Sequence, residues 1–106
     1  MEENILQLVM TGQQDSDAEE LRRDVLERAF RYVEYRFRWE MYSREEKAEK
    51  DGYRTSAHNA FMDAVNIYVR YLNRISGAQH EGLGPDRKMN GDLACRIVYE
   101  TAVRNR

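Results

Sequence analysis

Between Asp17 and Tyr42 apolar residues recur at helical spacing, but on two opposite sides of the helix they imply. At about 100° per residue, Leu26, Phe30, Val33, Phe37 and Met41 form one stripe, and Tyr32, Tyr35, Trp39 and Tyr42 form another roughly 180° away. A helix wet on one side needs only one stripe. The second must be covered by another helix of the chain, by a second copy, or by a ligand with flat faces such as nucleic acid bases. The reading taken from the pattern puts the Phe/Val stripe on the core and leaves the Tyr/Trp stripe as the spare surface.

Upstream, Asn4 to Met10 carries Ile5, Leu6, Leu8 and Val9 and reads as a two-turn helix. A helix that short is marginal without tertiary packing, so it is a docking arm, either onto its own body or onto a neighbour's. Gly12 to Asp15 reads as a linker. Ser16 with Glu19 has the spacing of a capping box, and Asp17 with Glu20 offers the same device one residue later.

Beyond Tyr42, Ser43 and Glu46 repeat the capping-box spacing. Residues 43 to 51 are polar apart from Ala48, which predicts a short, solvent-projecting helix ending at a turn near Gly52. Thr55 or Ser56 would then cap a helix from Ala57 to about Ile75, whose core stripe holds Phe61, Ala64, Val65, Tyr68, Leu72 and Ile75. Its other side carries Asn59, Asn66 and Asn73 at seven-residue intervals. Asparagine is a poor helix former, about 0.6 kcal/mol worse than alanine, so a row of three needs a reason. Two are available: a solvated face whose amides bond to backbone or to Arg70, or a polar contact with a partner.

Gly77 ends that helix, and Gly82-Leu83-Gly84-Pro85 reads as a connector, since neither the Walker nor the Rossmann glycine pattern is present. The last helix, starting at Asp86 or Asn90, distributes Met89, Leu93, Ala94, Cys95, Ile97, Val98, Tyr99, Ala102 and Val103 around most of its circumference. An element apolar all round is buried on several sides. Three helices shelter it only in part, which together with the doubled face of the first long helix argues for a two-fold homodimer.

The fold class expected is therefore all-α: a small helical bundle of three main helices plus a short N-terminal helical arm. One domain spans 1–106, with residues 1–15 as arm and linker. Leu21, Val25, Leu26, Phe30, Val33, Phe37, Phe61, Val65, Tyr68, Leu72, Leu93 and Ile97 make up the interior.

Composition narrows the function. A chain of 106 residues with 42% apolar and 34% charged content has room for one modest core. The net charge of -2 carries no global signature, but its distribution does. Residues 1 to 20 hold six acids and no Lys or Arg, whereas residues 22 to 38 hold six arginines against Asp24, Glu27 and Glu34. Arg87, Lys88, Arg96, Arg104 and Arg106 outnumber Asp92 and Glu100 at the C-terminal end. The single cysteine, Cys95, precludes an internal disulfide, and no apolar run reaches the roughly 18 to 20 residues of a membrane span. Cytoplasmic is the location these features favour.

Catalytic chemistry is not visible. His58 stands at the start of its helix and His80 in a loop, without the spacings of helical metal sites, so no metal or cofactor is expected. Cys95 sits among apolar neighbours as a small buried hydrophobe. The sharpest feature is the mixture of cations and rings on one surface: Arg28, Tyr32, Tyr35, Arg36, Trp39 and Tyr42. Such a surface suits a protein interface, where Tyr, Trp and Arg concentrate. It also suits single-stranded nucleic acid, with cations on phosphates and rings stacking on bases. The sequence therefore points to a non-enzymatic protein acting through protein contacts as a homodimer, with nucleic acid binding by the same six residues as the alternative.

Overall fold

A computed structural model describes residues 2–104, with side chains from residue 4 onward. Arg106, counted above among the C-terminal cations, lies outside the described residues. Four helices follow one another: α1 (Glu2–Met10), α2 (Ser16–Met41), α3 (Arg44–Ser76) and α4 (Arg87–Arg104). The architecture is all-α, three main helices plus a short N-terminal arm, as the periodicity predicts.

α2 starts one residue earlier than the expected caps. Asp15 is the N-cap, its carboxylate accepting from the Ala18 N–H at 3.0 Å and from the Tyr71 hydroxyl at 2.9 Å. Glu19, expected as a capping-box partner, instead gathers Arg22, Arg23 and the Gln13 N–H. The Arg22 bond and then the Gln13 N–H lower its carboxyl from the usual 4.5 to about 2.

At the other turn the sequence reading holds: Ser43 accepts from the Glu46 N–H, and the Glu46 carboxylate reaches back to the Ser43 N–H. The break at Gly52 does not occur. α3 runs unbroken for 33 residues, and Thr55 and Ser56 lie within it. Gly52 is exposed, and the helix is pinned to α2 on either side of it. Before it, Lys47 lies over the Trp39 ring; after it, Tyr53 stacks on Tyr35 and Arg54 lies over Trp39. These contacts outweigh the cost of about 1 kcal/mol that glycine imposes on a helix interior. Gly77 then ends α3 in the left-handed conformation, φ 74°, that favours glycine.

Contacts from Tyr35–Tyr53 through Tyr32–Phe61 to Asp15–Tyr71 run α2 and α3 antiparallel along one another. The connection from Gly77 to Asp86 doubles back along α3, and two of the three asparagines in the row hold it. Asn73 donates to the His80 carbonyl and accepts from the His80 N–H, each at 2.9 Å. Asn66 does the same to Leu83, at 3.0 and 2.6 Å. Each amide thus pairs with one residue of the loop as a neighbouring β-strand would, and Leu83 is pressed into the core. Gly82 is required here, because a Cβ on it would collide with the Asn66 amide. The loop delivers Asp86, which caps α4 by accepting from the Met89 N–H at 3.1 Å.

α1 docks onto its own chain. Ile5, Leu6 and Val9 are buried, and the four carbonyls left open at its C-terminal end each find a donor. Gln7 is served by Thr11, Leu8 by the Tyr68 hydroxyl, Val9 by Arg22 and Met10 by Arg104. The arm is short yet held because tertiary groups cap it.

The interior corrects several expectations. Val25, Val33, Phe61, Val65, Tyr68, Leu72, Leu93 and Ile97 are buried as anticipated, and Leu21 and Leu26 pack against them. Phe30 and Phe37 are not interior; they are 45% and 68% exposed. Cys95 is exposed, so it is not a buried hydrophobe. α4 is not covered on all sides either: Leu93, Ala94 and Ile97 face inward while Tyr99 and Val103 stay in solvent. His58 is a core residue rather than a boundary one.

Candidate functional site

The six residues singled out in the sequence do not form one open surface. Tyr32 is 3% exposed, edge-on to His58 at 5.5 Å and stacked with Phe61 at 6.0 Å. Its hydroxyl points to the Arg87 carbonyl, and burial raises its pKa against the lowering fields of Arg36, Arg87 and Arg54. Tyr35 lies parallel to Tyr53, centroids 6.5 Å apart. Trp39 is roofed by the Arg54 guanidinium at 4.0 Å and by Lys47 at 5.8 Å. Tyr42 is the C-cap of α2, its N–H donating to the Trp39 carbonyl. These rings are the contact between α2 and α3, so Tyr32 as a recognition residue is corrected to a core residue. The small side chains Ala57, Ala60 and Ala64 on α3 are the signal that could have shown it, because they leave room for large rings opposite.

The cations of the six divide differently. Arg28 is neutralised by Asp24 at 3.1 Å. Arg36 lies over the Tyr32 ring at 5.8 Å and is packed against Gly91 of α4, where a Cβ would fall on its Nη1. That Nη1 is buried and has no hydrogen-bond acceptor. A groove of about 280 Å³ remains between α2 and α3, lined by Arg28, Arg31, Tyr35 and Tyr53 among others. Both of its arginines are paired, Arg31 with Glu27 at 3.3 Å.

Behind Tyr32 lies a buried polar pair. Asn90 is fully enclosed and donates from Nδ2 to His58 Nε2 at 3.0 Å and to the Gly84 carbonyl at 2.9 Å. With Nε2 accepting, His58 carries its proton on Nδ1 and donates to Asn59 Oδ1 at 3.0 Å. His58 Nε2 thereby ties α3 to α4, Asn90 ties α4 to the returning loop at Gly84, and Nδ1 is satisfied within α3. Among the described residues no group of three or more His, Cys, Asp and Glu side chains is arranged to hold a metal ion, and no helix is long and apolar enough to cross a membrane.

What stays uncovered is the stripe assigned to the core. Phe30, Phe37 and Met41 are 45%, 68% and 86% exposed, with Leu26 half-buried and Val33 buried beneath them. The exposed members, Phe30 and Phe37 seven residues apart and Met41 one turn further, lie in one line along α2. Along one edge run two ion pairs, Glu27 with Arg31 at 3.3 Å and Glu34 with Arg38 at 3.5 Å. No protein-family model, curated protein or solved structure matches the chain.

Proposed function

We propose that the protein is a non-catalytic interaction module that self-associates as a two-fold dimer, α2 against α2, through the face bearing Phe30, Phe37 and Met41. The observation that carries the reading is the exposure of three large apolar side chains in a row on a well-formed helix. Taking about 200 Å² for a large side chain, they leave roughly 400 Å² of apolar surface per copy in water. That lies in the range where a patch on a monomer is usually functional, and supplies about half of the roughly 800 Å² each partner contributes to a standard interface.

The rim argues for a second copy of the chain as the occupant. Glu27–Arg31 and Glu34–Arg38 place both signs beside the stripe, and a two-fold axis brings each sign to its opposite. A polyanion would need the reverse, a surplus of one sign. Five of the six arginines between residues 22 and 38 pair with acids three or four positions before them, and Arg36 alone lacks such a partner. The nucleic-acid alternative therefore has less to rest on than the arginine count implies. We place the dimer in the cytoplasm, on the strength of the lone, exposed Cys95.

A dilution series followed by amide chemical shifts tests the reading. Shifts that move with concentration along the outer face of α2, centred on Phe30 to Met41, are expected. Shifts that stay constant over the series, or move only on another helix, contradict it.

A further inference from the structure

A second feature lies at the junction where α4 starts against α2 and α3. Arg36, Arg54, Arg87 and Lys88 surround a pocket of about 160 Å³ with Tyr32 in its wall. Two of these cations are held in place by packing. Arg36 is wedged between the Tyr32 ring and Gly91, and Arg54 is laid flat on Trp39. Arg87 and Lys88 are fixed to the first turn of α4, whose dipole adds positive potential at that end.

Charge is not balanced locally. Arg54 has Asp51 at 3.5 Å, and Asp86 beside Arg87 is occupied in capping Met89. Arg36, Arg87 and Lys88 have no carboxylate partner among the described residues. Four cations against two acids leave a surplus of two positive charges around one small cavity. Arg36 is the most constrained of the four: its Nη1 is enclosed against Gly91 without an acceptor, so the guanidinium charge is poorly compensated on that side, and an anion on its pocket side would offset it. Asn90 Oδ1, the other unpartnered buried atom, is itself an acceptor and offers an anion nothing.

We infer that this pocket binds a dianionic oxyanion of the phosphate-monoester class, held by the guanidinium groups of Arg36, Arg54 and Arg87 and the ammonium group of Lys88. Size and charge select this class. At about 30 Å³ per water, the cavity seats a tetrahedral oxyanion and a few waters. A phosphate monoester carries close to two negative charges at neutral pH, matching the local surplus. Guanidinium forks suit its oxygens in geometry as well as charge. Inorganic phosphate and the phosphate of a larger phosphorylated molecule share this chemistry.

Thermal melts of the full chain in inorganic phosphate, against chloride at matched ionic strength, provide the test. The melting temperature is expected to rise and saturate in phosphate. Glycerol phosphate in place of inorganic phosphate tells whether an esterified headgroup is accepted as well, and a dinucleotide phosphodiester, with a single charge, should stabilise little. Gly91→Ala displaces Arg36 from its seat against α4 while improving helix propensity, and should weaken phosphate binding at least tenfold. Should that variant fold poorly, the exposed pair Arg87→Gln with Lys88→Gln makes the same prediction. Arg23→Gln, an exposed cation remote from the pocket, should bind as the wild type does. Equal stabilisation by phosphate and chloride, or an equal response of the pocket variants and Arg23→Gln, overturns the inference. Neither result bears on the dimer, whose surface is the Phe30, Phe37 and Met41 stripe.

Discussion

The rings on one side of α2 and the large apolar side chains on the other meet opposite fates. Tyr32, Tyr35 and Trp39 are spent on α3, Tyr32 against His58 and Phe61, Tyr35 against Tyr53, and Trp39 under Arg54 and Lys47. Phe30, Phe37 and Met41 are left in water. The difference lies in what stands opposite and in the polar tip that a tyrosine carries. A tyrosine tolerates a helix–helix seam with polar backbone at its edge, because its hydroxyl reaches a carbonyl such as that of Arg87. The Phe/Met stripe has no polar tip and faces a side of α2 that α3 and α4 do not reach.

This contrast can be broken by mutation, and the largest effect belongs to the covered face. Tyr32→Ala should cost about 3–5 kcal/mol of unfolding free energy in chemical denaturation, as large-to-small core substitutions do. Met41→Ala, on the uncovered face, should change the stability of the dilute monomer by less than about 0.5 kcal/mol. Similar losses for the two would show that the faces are not distinct.

The asparagine row of α3 sharpens the same distinction between spent and spare groups. Asn66→Ala removes both bonds to Leu83 and should cost about 1–3 kcal/mol, with faster amide exchange in the returning loop. A solvated asparagine would be worth a few tenths at most. Glu19 belongs to the spent groups of the arm. Its carboxyl is held at about 2 against 4.5 when free, so its contribution is full above about pH 4.5 and is lost as pH falls toward 2. The Glu19→Gln variant should show a flatter stability profile across that window, with little change in slope above it. One expected effect is a small gain. Gly52→Ala meets nothing within 4 Å in a continuous helix and should stabilise by about 0.5–1 kcal/mol.

Much of the fold was legible in the residues. Helix number, the Ser43–Glu46 cap, the Gly77 stop and most of the interior follow from spacing and end chemistry. Asp15 as the cap was missed because a boxed pair one residue later fitted the same rule, while the carboxylate of Glu19 was drawn instead to Arg22. Gly52 misled because propensity is local, whereas the stacking on Tyr35 and Trp39 that carries α3 through it is tertiary. The inward face of α2 could not be chosen from one helix alone, since a wheel shows where side chains point and not where neighbours stand. Arg54, Arg87 and Lys88 come from two helices and meet only after folding, so no spacing rule unites them with Arg36.

The most direct test of the account is the mass in solution by light scattering, over a concentration series, for the wild type and for Phe37→Glu. A wild type that approaches twice the chain mass of 12.6 kDa, beside a folded variant that stays at one, is the predicted result. A wild type that remains at one chain mass at the highest concentration, or a variant that associates as the wild type does, would contradict it.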